Sequence, residues 1–224
     1  MRKVQKERLM QALNYEKWIK EKQAEKCIQN LKKHGFDAFF FQSLDDARSS
    51  ILKKISQYDS FGFGGSDTTR QLDIIEVLKK MDKIIYDHWD ESFSTEESLD
   101  IRRKQLVCDC FFCSANAISM TGEIVNVDGV GNRTSAMAFG PRNVMIIAGV
   151  NKLSPDLNAA LNRVHEIAGP MRAKSLEMKT PCAETGICND CNVPQRICRV
   201  TTILHRKPML TDVSVILVNE DLGY

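Results

Sequence analysis

An α/β fold, with a mostly parallel sheet flanked by helices and an N-terminal helical extension, is predicted from three observations. Short apolar runs alternate with segments of helical period along the chain, the pattern of a parallel sheet with crossover helices. Residues 144–150 are apolar almost throughout, as a strand covered on both faces requires. Gly62-Phe63-Gly64-Gly65-Ser66 stands between a strand-like run and a helical pattern, where an α/β unit makes its tight turn. With 224 residues, 43% of them apolar, the chain can bury a core without disulfide or metal staples. No repeat or linker divides it, so the simplest organisation is an extension over residues 1–34 and one domain over residues 35–224.

Each element has its own signal. In residues 1–34, Leu9, Leu13, Trp18, Ile19, Ile28 and Leu31 fall near helical spacing among Lys and Glu, and Gly35 stops the pattern. The lysines there read as a solvated face. Residues 36–41 form an apolar run of strand length, and Ser43 with Asp46 has the spacing of a helix N-cap. A strand at 58–63, the glycine turn and a helix carrying Leu72, Ile75, Leu78 and Met81 come next. A strand at 83–89 precedes a helix opened by Ser94 and Glu97 at capping-box spacing. Thr121-Gly122 turns a hairpin within residues 117–126. After the strand at 144–150, Ser154 as N-cap and Pro155 at the first position predict a helix ending near Gly169. Late strands fall at 200–204 and 213–218.

Net charge is +2, too balanced to point to nucleic acid. The longest apolar runs are far short of a membrane span. The Lys/Glu-rich start lacks an apolar signal region, and eight cysteines without one indicate a reducing cytoplasm.

The chemistry-bearing residues fall in three places. Cys182, Cys188, Cys191 and Cys198 crowd the loop 181–198, with Pro181, Gly186 and Pro194 to fold it back on itself. The central C-x2-C and its flanking pair can complete a four-thiolate shell, which selects zinc or an iron–sulfur cluster; redox-active thiols and structural disulfides or free thiols are the other readings. Gly62, Gly64, Gly65, Ser66, Asp67 and Thr68 can present backbone N–H groups and hydroxyls to a phosphate or carboxylate, or can form an ordinary capped turn. They match neither a Walker A loop nor the dinucleotide fingerprint. Asn116, Asp128, Asn132 and Arg133 crowd a strand end and a helix start; Arg133 suits a bidentate grip on an anion, with capping as the plain alternative. Glu123 is a weaker candidate base. Cys108, Cys110 and Cys113 lie among Val107, Phe111 and Phe112 and read as core, with a second redox or metal site as the alternative; Cys27 reads as packed on its helix. His34, His88, His165 and His205 form no ligand motif.

Taken together, Asn116-Ala-Ile, Gly122 to Arg133, Phe139-Gly-Pro141, Gly149-Val-Asn-Lys152, Thr180-Pro-Cys182, Thr185-Gly-x-Cys188-x-Asp-Cys191 and Pro194-x-Arg-Ile-Cys198 resemble the LUD (lactate utilisation) domain family over about residues 5–222. The resemblance implies the fold shared with ribose-5-phosphate isomerase, glucosamine-6-phosphate deaminase and CoA transferases. In that fold a similar glycine turn, matched here at Gly62, Gly64, Gly65, Ser66 and Thr68, holds phosphate or a CoA-like group. The isomerase's acidic residues find no counterpart beyond the stretch containing Asp128.

The resemblance also implies lactate-type organic-acid oxidation or electron transfer. Its cofactor would be an iron–sulfur cluster of the four-iron, four-sulfur kind on the four loop cysteines, with zinc as the alternative. A small carboxylate or phosphate ligand and a redox partner protein would go with it. The ferredoxin-type cysteine run of the larger iron–sulfur subunits is missing, which implies an accessory or independent protein. Two other functions stay open at this point: a sugar-phosphate- or CoA-binding enzyme with a structural zinc, and a redox-sensing binding module.

Overall fold

Apolar residues alternate between two faces along the central strands, and both faces are covered. The computed structural model describes residues 2–224 and, within them, the side chains of residue 13 and of residues 15–224. Leu9 of the N-terminal pattern lies outside the described side chains. The strands are β1 (Asp37–Phe41), β2 (Ser60–Phe63), β3 (Ile84–Asp87), β4 (Cys110–Cys113), β5 (Ala117–Ser119), β6 (Ile124–Asp128), β7 (Asn143–Gly149), β8 (Leu153–Ser154), β9 (Val200–Leu204) and β10 (Asp212–Val218). Six of them form one sheet in the order β1-β10-β7-β4-β2-β3, every pair parallel. This is the predicted sheet, with residues 144–150 at its centre. A second sheet, β8-β5-β6-β9, joins the predicted 117–126 hairpin to β8 and β9.

The helices are α1 (Arg2–Lys33), α2 (Leu44–Ile55), α3 (Asp67–Gln71), α4 (Ile75–Lys80), α5 (Thr95–Lys104), α6 (Asn132–Ala138), α7 (Leu157–Arg163), α8 (Gly169–Ser175) and α9 (Pro181–Thr185). One face of the main sheet, with Phe111, Val144, Ile146 and Val215, packs on Ala24, Cys27 and Leu31 of α1 and on Ile118 and Ile124 of the second sheet. The other, with Phe61, Phe63, Phe112, Met145 and Ile216, packs on Ile51 and Ile55 of α2 and Leu78 of α4. The stacked rings of Phe63 and Phe112, 5.2 Å apart, anchor this second layer. Truncating such a buried phenylalanine to alanine costs about 3–5 kcal/mol.

The caps agree with the sequence at Ser43 and at Ser94/Glu97, the latter a full reciprocal box. Gly122 takes φ +106 in the predicted turn, which only glycine adopts without strain. Four details differ. The helix expected after the glycine turn is two short ones, broken where Asp73 takes φ +49. Ser154 pairs in β8 with Ser119, so Asp156 caps α7 instead, accepting from the Ala159 N–H. The chain does not stop at Gly169 but continues through a π-helical turn, Val164–Ala168, into α8. Trp18 and Ile19 of the expected apolar stripe are exposed; the buried stripe of α1 is Ala24, Cys27 and Leu31.

Cys27, Cys108, Cys110 and Cys113 are buried, as the core reading requires. Burial pushes the Cys27, Cys108 and Cys113 thiols up to about 12 and Cys110 well above the ordinary value. Because the thiolate is the nucleophile, iodoacetamide on native metal-free protein at pH 8 is expected to label the loop cysteines and spare these four. Mass mapping of the adducts checks this.

Candidate functional site

The carboxyl ends of the central parallel strands converge on one cavity, the usual ligand address of an open α/β sheet. After β2 come Gly65, Ser66 and Thr68; after β4, Ser114 and Asn116; after β7, Lys152; after β10, Gly223. All of them line a cavity of about 70 Å³, with Asp67, Arg133, Arg172, Ile197 and Cys198 completing its wall. The two polar segments singled out in the sequence are thus brought together, although about 50 residues separate them.

Lys152 occupies the centre. It is 4% exposed, and its Nζ donates to Thr68 Oγ1 and Ser114 Oγ, both at 2.9 Å. Burial, then the Arg163 and Arg133 charges, lower its pKa to about 7. Among the described residues the amine has two hydroxyl partners and no direct carboxylate, which aim it but do not neutralise its charged form. Arg133 and Arg172 add positive charge, each held by a carboxylate. Arg133 Nε and Nη2 lie 2.9 and 2.7 Å from Asp128 Oδ1, and Nη2 also donates to Asn116 Oδ1 and the Val127 carbonyl. Arg172 reaches Asp67 at 3.2 Å.

These contacts revise several expected roles. The Nε–Nη2 edge of Arg133, which would grip an anion in bidentate fashion, is occupied by Asp128. Asp128 also accepts from the Thr134 N–H at 2.9 Å, so it pins the start of α6 to the end of β6. Asn116 clasps the same corner, its Oδ1 accepting from the Val127 N–H as well. Asn132 hydrogen-bonds Gln105 and faces an adjoining outer cavity together with Asp128. Glu123 turns to the Thr121 hydroxyl, away from the cavity. Gly62 and Gly64 are packing positions: a Cβ on Gly62 would meet the Phe111 ring at 2.9 Å, and one on Gly64 at 3.1 Å. The turn opens only the five-residue α3, with Ser66 as its cap. Among the predicted glycines, Gly65 alone lines the cavity.

Replacing Asp128 with asparagine would leave Arg133 charged and nearly buried with no counter-ion. Breaking a pair of this kind costs about 3–5 kcal/mol. The variant is expected to lose that much in urea denaturation, and a loss under 1 kcal/mol would contradict the clasp.

The four loop cysteines line a second, smaller cavity, with Thr180, Arg196 and Ile197. Arg196 braces the loop through the Cys191 and Cys198 carbonyls, both at 2.6 Å. All four thiols are free. The Cys198 thiol is raised, first by burial and then by Cys188, with Cys182 and Cys191 adding to it, so the four sulfurs share one electrostatic neighbourhood. His165 Nδ1 lies 3.6 Å from Cys188 Sγ. Among the described residues, no group of three or more His, Cys, Asp or Glu side chains is arranged to hold a metal ion as it stands. Cys198 and Ile197 line both cavities, and a Cβ on Gly169 would lie 3.6 Å from Cys198 Sγ.

Lys152, Ser114 and Arg172 were not among the residues expected at the site. The available signal was Lys152 itself, a lone cation three residues past the carboxyl end of β7, the most apolar strand.

Among the described residues no helix is long and apolar enough to cross a membrane. No curated protein matches the chain. A crystal structure of a DUF162 family protein from Deinococcus radiodurans is similar in fold, with a TM-score of 0.51 at 13% identity, over 89% of this chain and 98% of that one. The family model described as LUD domain matches residues 24–218, which takes in every strand, the cysteine loop and the walls of both cavities apart from Gly223 and Tyr224: the chain belongs to the LUD domain family.

Proposed function

We propose that this LUD-domain protein binds a small organic anion of the lactate type beside Lys152 and holds an iron–sulfur cluster on Cys182, Cys188, Cys191 and Cys198. It would serve organic-acid oxidation in the cytoplasm together with a redox partner protein. The observation that carries this reading is the wall common to the two cavities, Ile197 and Cys198. An anion site and a thiol cluster that share a wall suit a redox protein better than a structural metal, which gains nothing from touching the ligand.

The donor set fits the group. A tetrahedral zinc with Zn–S bonds of about 2.3 Å would gather four sulfurs within about 4 Å of one another. Four thiols that line one cavity are the ligand number of a four-iron, four-sulfur cluster as well as of zinc, and the wall shared with the anion site favours the cluster. When bound, the cluster supplies one-electron transfer. The rest falls to the chain's own residues. Lys152, in its protonated form, attracts the carboxylate. Thr68 and Ser114 fix the amine in place, while Arg133 and Arg172, each held by its aspartate, give the cavity its positive field.

Protein prepared without oxygen is expected to contain about four iron atoms and four acid-labile sulfides per chain, with a broad brown absorbance. Stoichiometric zinc in a colourless sample would overturn the cluster and leave a structural metal beside an anion pocket.

A further inference from the structure

We infer that the outer cavity is a second anion subsite, so that the ligand is a dianionic organic acid reaching from Lys152 to Arg102. This rests on the reading of the inner cavity given above and names the substrate class for it.

The two cavities adjoin, since Gly65, Arg133 and Arg172 line both. The outer one, of about 340 Å³, adds Arg102, Trp89 and Val130. Its ionised side chains are Arg102, Arg133 and Arg172 against the single carboxylate of Asp128, and Asp128 is committed to Arg133. Arg172 is paired with Asp67 and lies with its guanidinium 4.9 Å from the Trp89 ring centroid.

Among the described residues, Arg102 is the unmatched group. Its Nη1 donates to the Ser98 carbonyl at 3.0 Å and the Ser98 hydroxyl at 2.6 Å, and its Nε is enclosed without a hydrogen-bond partner. Burial alone acts on its charge, with no carboxylate offsetting it. Its neighbour His88 is held neutral, lowered to about 4 by burial and then by Arg102 itself, so it adds no further positive charge.

A half-buried guanidinium without a counter-ion is unfavourable unless something supplies one. A monoanion on Lys152 leaves Arg102 as it was. A second carboxylate on the same molecule completes both ends, and its gain over the monoanion is the interaction with Arg102.

Calorimetric titration of the full chain with lactate, malate and 2-hydroxyglutarate tests this, the two dicarboxylates offering different spans. At least one dicarboxylate is expected to bind about tenfold or more tighter than lactate, the range of a partly buried charge pair. Arg102→Gln should collapse that ratio to about twofold or less. Val130→Asp, at a position 66% exposed, introduces a repelling charge at the outer cavity without touching the core, and should collapse it too. Equal affinity for lactate and both dicarboxylates would overturn the inference while leaving the inner site standing, as would a ratio that survives both substitutions. Failure of all three acids to bind would overturn the reading of the inner site and this inference with it.

Discussion

Replacing Lys152 with methionine is expected to abolish binding of small organic anions and, at the same time, to stabilise the folded chain. Among the described residues, the amine is the one cation of the inner cavity that lacks a carboxylate partner, and its two contacts are neutral hydroxyls. Removing it should cost an anionic ligand about 2–5 kcal/mol of affinity, the range for truncating one member of a buried charge pair.

The stability effect has the opposite sign and depends on pH. In the unfolded chain the amine titrates near the ordinary value of 10.5, and in the fold near 7. Below pH 7 both states carry the proton, and the native state bears the full penalty of a buried charge. Between about 7 and 10.5 the unfolded chain binds a proton that the native state does not, so native stability rises with pH. A buried charge replaced by an apolar side chain of similar length is often neutral to stabilising by about 1–4 kcal/mol. The methionine variant should therefore be more stable than the parent at pH 6, and the advantage should shrink by pH 9. Urea denaturation at the two pH values measures it. A variant less stable than the parent at pH 6 would mean that the Thr68 and Ser114 bonds outweigh the desolvation of the amine.

The second large effect concerns the loop. Cys191→Ser is expected to reduce iron from about four atoms per chain to a small fraction and to remove the brown absorbance, because a hydroxyl is a poor substitute for a thiolate on iron. Cys198→Ser should do the same and also disturb anion binding, since Cys198 alone of the four lines the inner cavity. Parallel metal analysis and calorimetry separate the two variants. Identical behaviour in both assays would argue that the shared wall has no functional consequence.

Much of the scaffold was legible because its signals are local. The apolar run at 144–150, the hairpin at Thr121-Gly122 and the Ser94/Glu97 box each depend on neighbours within a few residues. The second sheet was not legible, because its long pairing joins Ile124 to Leu204 and no local pattern encodes a register across 80 positions. The same limit hid the site. Asn116, Arg133 and the glycine turn were visible as polar clusters, but Lys152 and Arg172 are single residues that acquire meaning only when the sheet brings them to the same cavity. The cap at Asp156 was misplaced for a related reason: Ser154 had the right chemistry, but pairing with Ser119 had already claimed it for a strand. Of the three glycines in the turn, Gly62 and Gly64 turned out to make room for Phe111, a packing demand that looks in sequence like a phosphate loop.

The most direct test of the central claim, an anion site sharing a wall with an iron–sulfur cluster, is electron paramagnetic resonance on the reduced protein prepared without oxygen, with and without lactate. The wall formed by Ile197 and Cys198 predicts a lactate-dependent change in the cluster signal that is absent in Lys152→Met. A cluster signal unchanged by lactate, under conditions where calorimetry shows the site to be filled, would contradict it.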